Sequence, residues 1–353
     1  MQIGIIGLPN VGKSTIFNIL AKANAEVADY PFCTIEPNTG ILIVPDPYLQ
    51  RLAKIHDSAK TTPPGVKIMD VAGLVKGASR GEGLGNQFLS HIRAADMLAH
   101  IIKCFKSSDG ESADPSGDVD TINTELLLSD IEILGRRAEK LSTLARTGDR
   151  EASEQLDLVS FLIKELNQGR VPGPEELSAN MAKYIRELDL LSFKPVLYVA
   201  NMDDTGLSRI LHKKLASKVG VNRTVKVYAG LEAELMELEP EERAQYAKEL
   251  GIEGGIDSFV KSCYSLLDLI TFYTLNKNEA RAWPLQRGKK AIDAAEKIHS
   301  DMAKGFIKAE VIGAEELLEC GSFAKARQTG RLRLEGRDYV VADRDVIQVR
   351  FAI

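Results

Sequence analysis

The run Gly7-Leu8-Pro9-Asn10-Val11-Gly12-Lys13-Ser14-Thr15 combines two glycines, a lysine and two hydroxyls in the order G-x-x-x-x-G-K-[ST]. Glycines let the backbone turn so that successive N–H groups point inward at an anion. Lys13 adds a full positive charge, and the Ser14 hydroxyl is a hard oxygen suited to Mg²⁺. That chemistry binds the β- and γ-phosphates of a nucleoside triphosphate, with Asn10, Val11, Gly12, Lys13, Ser14 and Thr15 as the contacts. Context supports the motif: the apolar residues before Gly7 read as a buried strand, and the residues after it as a helix whose N-terminus faces the phosphates.

Two weaker signals sit downstream. Asp70-Val71-Ala72-Gly73 ends a strand-like run. There the carboxylate of Asp70 can hold Mg²⁺ through water, and the amide of Gly73 can reach a γ-phosphate. Between the two motifs, Tyr30-Pro31-Phe32-Cys33-Thr34 offers a hydroxyl, Thr34, that can complete the Mg²⁺ shell when the γ-phosphate is present. Alone, Thr34 would read as an ordinary loop residue. The residue after Gly73 is Leu74, where many hydrolases of this kind carry a water-orienting glutamine, so no catalytic residue is assigned. His91 and His100 read as packed or surface side chains rather than bases.

Base recognition is expected from Asn201-Met202-Asp203-Asp204. It has the form of the guanine reader Asn-Lys-x-Asp with methionine in place of lysine. Asn201, Met202 and Asp204 are the candidate contacts, and Tyr228-Ala229-Gly230 occupies the usual second base loop. Methionine supplies apolar cover but no charge, whereas Asp204 can accept two hydrogen bonds from guanine. ATP and GTP both remain open on these residues.

The elements that must position these groups alternate. Ile3–Gly7, Gly40–Val44, Val66–Val71, Met97–Phe105, Pro195–Ala200 and Thr224–Ala229 are strand-like, with helical patterns between them, which predicts an α/β domain with a mostly parallel sheet. From about Asp120 the period becomes heptad-like, through Leu127, Ile131, Leu134, Ala138, Leu141 and Ala145. It resumes at Leu156, Val159, Ile163 and Leu166 after the turn residues Thr147-Gly148-Asp149, predicting an inserted antiparallel helical hairpin over about 120–190. Lys106–Asp120 reads as a Ser/Asp/Gly-rich loop. Short strand-like runs after residue 270 predict a separate α+β module over 270–353, leaving 1–269 as the nucleotide-binding domain.

The 353 residues are 44% apolar, carry a formal charge of −5 and contain four widely spaced cysteines. This balance excludes a disordered chain and gives no global attraction to nucleic acid. The cysteine spacing suggests neither a disulfide framework nor a zinc site, and no apolar run is long enough to span a membrane. A cytoplasmic monomer is the simplest expectation.

Taken together, the phosphate loop, Tyr30–Thr34 followed by Ile35-Glu36-Pro37-Asn38, Asp70–Gly73 and Gly81–Ile92 resemble the Obg-related P-loop NTPases. Within that class the chain most resembles the YchF, or Obg-like ATPase, family. Arg281-Ala282-Trp283, Ile298–Asp301, Gly305–Val311 and Gly336–Tyr339 resemble its C-terminal TGS module. The resemblance implies a Ras-like P-loop fold and a slow, Mg²⁺-dependent hydrolase preferring ATP, with the ribosome or its RNA as partner. It also implies departures. The family's proposed histidine in the loop after Met97–Phe105 is absent, and the fourth base-reading residue is aspartate rather than glutamate. Asn10 matches the position at which some relatives hold K⁺, a possible second cation. The competing reading is a nucleotide-stabilised scaffold that docks on RNA without turnover. Residues 270–353 carry 15 Lys/Arg against 12 Asp/Glu, making that module the expected RNA contact.

Overall fold

The computed structural model describes residues 1–25, 38–71, 92–106, 112–250, 252 and 255–352. Two six-stranded sheets organise them. The first contains β1 (Gln2–Ile6), β2 (Thr39–Ile43), β4 (Gly65–Asp70), β5 (Met97–Cys104), β6 (Val196–Met202) and β7 (Thr224–Val227), in the order β2-β4-β1-β5-β6-β7. β1 with β5, β5 with β6 and β6 with β7 are parallel. Their near-continuous apolar runs follow from helices covering both faces of such a sheet. All eight residues of β5 are buried, two of them polar, His100 and Lys103.

Helix α1 (Lys13–Ala25) follows the phosphate-loop motif directly, and α2 spans Leu49–His56. The hairpin is formed by α3 (Pro115–Arg146) and α4 (Arg150–Asn167). Asp149 caps α4 by accepting a 3.0 Å hydrogen bond from the Ala152 amide. The start of α3 corrects the expected loop: Lys106–Asp120 is not irregular throughout, because Pro115 opens the helix. Proline is favoured at that position, its missing N–H costing nothing in the first turn. With 32 residues, α3 is about 48 Å long. Its first half packs Val119, Ile122 and Leu126 on the sheet, and its second half packs Leu134 and Leu141 against Val159, Leu162 and Leu166 of α4. Helix α5 (Ala179–Leu188), not anticipated individually, adds Tyr184 and Ile185 to that seam.

Where α3 leaves the sheet, the fully buried Asp130 accepts hydrogen bonds from the amides of Leu191 and Ser192 and from the Ser192 hydroxyl, at 2.9, 2.7 and 2.7 Å. Burial raises its carboxyl pKa, and the three donors oppose the shift. This carboxylate fixes the hairpin's base to the segment that leads into β6.

The second sheet contains β3 (Lys60–Thr62), β8 (Leu269–Leu275), β9 (Glu279–Gln286), β10 (Phe306–Gly313), β11 (Arg333–Glu335) and β12 (Asp345–Phe351), in the order β11-β10-β12-β8-β9-β3. Its last member comes from early in the chain: Lys60–Thr62 pair in parallel with Glu279–Arg281. Helix α2 packs Leu49, Leu52 and Ala53 into one core with Tyr273, Leu275, Ala280, Ala282, Ile312 and Leu317. Asp46 accepts from the amides of Tyr48 and Leu49 and from the Tyr273 hydroxyl, all at 2.8 Å. The compact units are accordingly Met1–Phe17 with Met69–Gly255, and Asn18–Ile68 with Ile256–Ile353. Helix α2 and β3 join the second unit because they share the core of the C-terminal strands. Helix α6 spans Gly206–Val219 and α7 spans Ala229–Leu235. No helix among the described residues is long and apolar enough to cross a membrane.

Candidate nucleotide-binding site

The phosphate loop leaves β1 through Gly7, whose φ is +153°. A Cβ there would lie 2.5 Å from the Ile101 carbonyl oxygen of β5, so only glycine allows the loop to turn this close to the neighbouring strand. Asn10 sits in the left-handed region at φ 61° and Gly12 at φ 95°. Turns of this kind aim backbone N–H groups inward, the geometry that receives phosphate oxygens. Ile16 N donates to Gly12 O at 3.0 Å, carrying the loop directly into α1.

Lys13 is buried and donates from Nζ to the Leu8 carbonyl at 2.7 Å, which folds its side chain back over the loop. Burial lowers its pKa, and the nearby Asp70 charge opposes that shift. The Ser14 hydroxyl lies close enough to the Asp70 carboxylate to lower its pKa, so the two expected Mg²⁺ ligands, though 56 positions apart, come together at the end of β4. Burial raises the Asp70 pKa, while Lys13 and Ser14 hold it down. Its Oδ1 is buried without a hydrogen-bond partner among the described residues.

This donor set fits Mg²⁺. A carboxylate oxygen with no partner among the described residues and a hydroxyl are hard ligands, and Mg²⁺ typically takes one or two protein oxygens and completes its octahedron with substrate phosphates and water.

The base-reading segment meets the same loop from the other side. Asn201 is buried at 4% exposure, donates from Nδ2 to Val11 O at 2.9 Å and accepts at Oδ1 from Ala229 N at 3.2 Å. One side chain thus ties the phosphate loop to the Tyr228–Gly230 loop at the start of α7. Gly12 lies against it so closely that a Cβ would be 2.3 Å from Asn201 Nδ2.

Comparisons with known proteins agree with this geometry. A family model described as 50S ribosome-binding GTPase matches residues 2–132, and the YchF-GTPase_C model, described as a protein of unknown function, matches residues 269–352. The chain is 43% identical to "Ribosome-binding ATPase YchF" of Bacillus subtilis and 40% identical to that of Escherichia coli O157:H7, over 99% of both chains in each case. The chain belongs to the YchF family. The solved Schizosaccharomyces pombe YchF GTPase superposes with a TM-score of 0.86 at 29% identity, covering 99% of this chain and 97% of that one. These matches establish the P-loop fold expected from the sequence.

In this YchF chain, several expected groups lie outside the described residues: Thr34, Gly73, Leu74 and His91. Ser14 and Thr15 are exposed at the head of α1. Asp204 is also exposed, and no hydrogen-bond partner for its side chain is found among the described residues. The loop that carries it is braced by its neighbours: Asp203 Oδ1 accepts from Thr205 N at 3.1 Å, and Thr205 Oγ1 accepts from Ser208 N at 3.2 Å.

The Met202 side chain turns into the core. It is 5% exposed and packs with Ile102, Cys104, Val119, Leu211 and Leu215 in the core beneath α6, because the last residues of β6 still alternate against that helix. It contributes to the core rather than forming an open apolar cover for a base. His100 is completely buried, with neither ring nitrogen hydrogen-bonded among the described residues. Burial, with the Lys13 charge, lowers its pKa to about 3, so the ring is neutral at physiological pH.

The Leu8 carbonyl that holds Lys13 was not anticipated. No side-chain pattern signals it, since a backbone oxygen is present at every residue.

Proposed function

We propose that this chain is a cytoplasmic, ribosome-associated P-loop hydrolase that binds ATP with Mg²⁺ and turns it over slowly, as a switch. The observation that carries this reading is the meeting of Lys13, Ser14 and Asp70 at a loop whose backbone turns through Asn10 and Gly12. Ser14 and Asp70 would hold the metal, which would neutralise phosphate charge. Lys13 would bind the β- and γ-phosphates, and the N-terminus of α1 would orient them. Thr34 and Gly73 are the proposed γ-phosphate-dependent contacts, whose release after hydrolysis makes the cycle a switch. Slow turnover follows from Leu74, which cannot orient water as glutamine does. The ribosome enters from the names of the relatives, "Ribosome-binding ATPase YchF".

ATP is the proposed nucleotide and GTP the alternative. Met202 offers no ammonium to a guanine, and Asn201 has both ends of its amide committed to backbone groups. Asp204 alone keeps a guanine-reading option.

An equilibrium titration with ATP and GTP, each with Mg²⁺, tests the choice: ATP should bind at least as tightly as GTP. Asp204→Ala should leave ATP affinity unchanged. GTP binding much tighter than ATP binding, and lost in Asp204→Ala by about 1.5–3 kcal/mol as for a charged hydrogen-bonded contact, would make Asp204 a guanine reader and replace ATP by GTP. The variant Met202→Lys is the less direct probe, since it would bury a charge in the core beneath α6.

A further inference from the structure

From Thr205 to Leu231 the chain has six Lys or Arg residues and no Asp or Glu, although 50 of its 353 residues are acidic. The segment comprises α6, a short 3-10 turn at Val221–Arg223 and β7, the last strand of its sheet. Folding concentrates this charge on one surface. The apolar side of α6 is spent on the core through Leu211, Leu215 and Ala216, which leaves its basic side chains facing outward.

Two of the six cations are neutralised: Lys214 pairs with Asp114 at 2.8 Å and Lys218 with Asp120 at 2.6 Å. The other four, Arg209, Lys213, Arg223 and Lys226, are exposed and have no carboxylate partner among the described residues. Arg209 and Lys213 are one helical turn apart on the outer side of α6. Lys226 aligns with Ala200 of β6, whose side chain lies in the core cluster with Leu211 and Leu215, so it projects on the α6 side of the sheet. Burial of the His212 ring on α6 and the charge of Lys226 both lower the His212 pKa, in keeping with Lys226 lying on the α6 side of the sheet.

We infer that this face of α6 and β7, carrying Arg209, Lys213, Arg223 and Lys226, is a docking surface for the phosphate backbone of folded, duplex-rich RNA. The inference rests on the ribosome-associated reading and locates a contact for it outside the C-terminal module. Charge complementarity is its basis: α6, with 14 residues, presents about 21 Å of length. Each strand of a nucleic-acid duplex carries closely spaced phosphate charges, so a helix of this length lies across several of them. A single strand is disfavoured, since the segment has no Phe or Trp, and its one Tyr, Tyr228, is half-buried and offers no stacking platform. A protein partner fits less well, because long flexible lysines are depleted in protein interfaces. The exposed apolar residues, Ile210 and Val221, are single side chains rather than the aromatic-rich stripe of a membrane-surface helix.

The test uses the full-length chain with ATP and Mg²⁺. Ribosome co-sedimentation, binding to purified ribosomal RNA and binding to phosphatidylglycerol vesicles are measured for wild type, for Lys213→Glu/Lys226→Glu and for Lys213→Gln/Lys226→Gln. A control carries Lys140→Glu/Lys164→Glu on the hairpin helices. Thermal melting and nucleotide affinity establish that each variant is folded, and the glutamine pair serves if the glutamate pair is not. Expected is a tenfold or greater loss of ribosome and RNA binding for the glutamate pair. The glutamine pair should show a smaller loss, with the salt slope reduced by about one per phosphate contact removed, and the control should show none. Unchanged binding in folded variants overturns the surface. Loss from ribosomes without loss from RNA overturns RNA as the partner, as does loss confined to vesicles. A wild type that binds RNA through this face but not ribosomes supports the surface and removes the ribosome reading. A wild type that binds neither overturns both.

Discussion

Lys13→Ala is expected to fold normally and to lose about 100-fold or more in triphosphate affinity or turnover, the scale seen when one charge-stabilising donor is removed from a preorganised site. The structure separates these two effects. Burial of Lys13 disfavours its charged form and outweighs the attraction of Asp70, since its pKa is lowered overall. The folded state therefore bears a cost for this ammonium that alanine does not incur, and the melting temperature of the nucleotide-free variant should match or exceed that of wild type. Its hydrogen bond to Leu8 O, the one found among the described residues, is a loop contact rather than part of a core network. Melting curves with and without nucleotide check both halves: wild type should be stabilised by ATP and Mg²⁺, and the variant should not. Wild-type affinity and turnover in Lys13→Ala would remove the phosphate loop from the account.

Gly12→Ala should be damaging for a different reason. Its φ of 95° is unfavourable for an L side chain, and the new Cβ would lie 2.3 Å from Asn201 Nδ2. Backbone strain of this kind costs about 1–3 kcal/mol. Asn201 cannot yield freely, because its amide is held at one end by Val11 O and at the other by Ala229 N. Displacing it leaves buried groups unpaired and unties the phosphate loop from the 228–230 loop. Nucleotide affinity should fall by at least tenfold and stability with it. Adding Asn201→Ala removes the obstructing amide, so the double variant should be measurably less impaired than the sum of the singles. Strict additivity would show that the clash is not the cause.

How much of this was legible in the sequence depends on the range of the interaction. The phosphate loop was readable because all of its chemistry lies within nine consecutive residues, and the parallel sheet because its strands are apolar runs. The hairpin seam was also visible in outline, yet Leu158 and Leu162 are among its fully packed members while Leu156 and Ile163 are only partly buried. The two helices settle their facing positions against α5 as well as each other. The strand β3 could not be found by pattern: Lys60-Thr61-Thr62 has no apolar period, and it is a strand only because Glu279–Arg281 pair with it. The direction of the Met202 side chain was not legible for a related reason. A motif identifies a residue type at a position, whereas the alternation of β6 against Leu211 and Leu215 decides which way that residue points. The pairing of Ser14 with Asp70 was anticipated as shared metal chemistry, and the two side chains lie close enough for Ser14 to hold down the Asp70 pKa.

The central claim is that this site turns over a nucleoside triphosphate with Mg²⁺. The most direct measurement is phosphate release by the purified chain over a range of ATP concentrations, with Mg²⁺ and with chelator, beside Lys13→Ala. The account predicts slow release that saturates with ATP, requires Mg²⁺ and disappears in the variant. Tight ATP binding with no release above the variant's background would contradict it and leave a nucleotide-stabilised scaffold in its place.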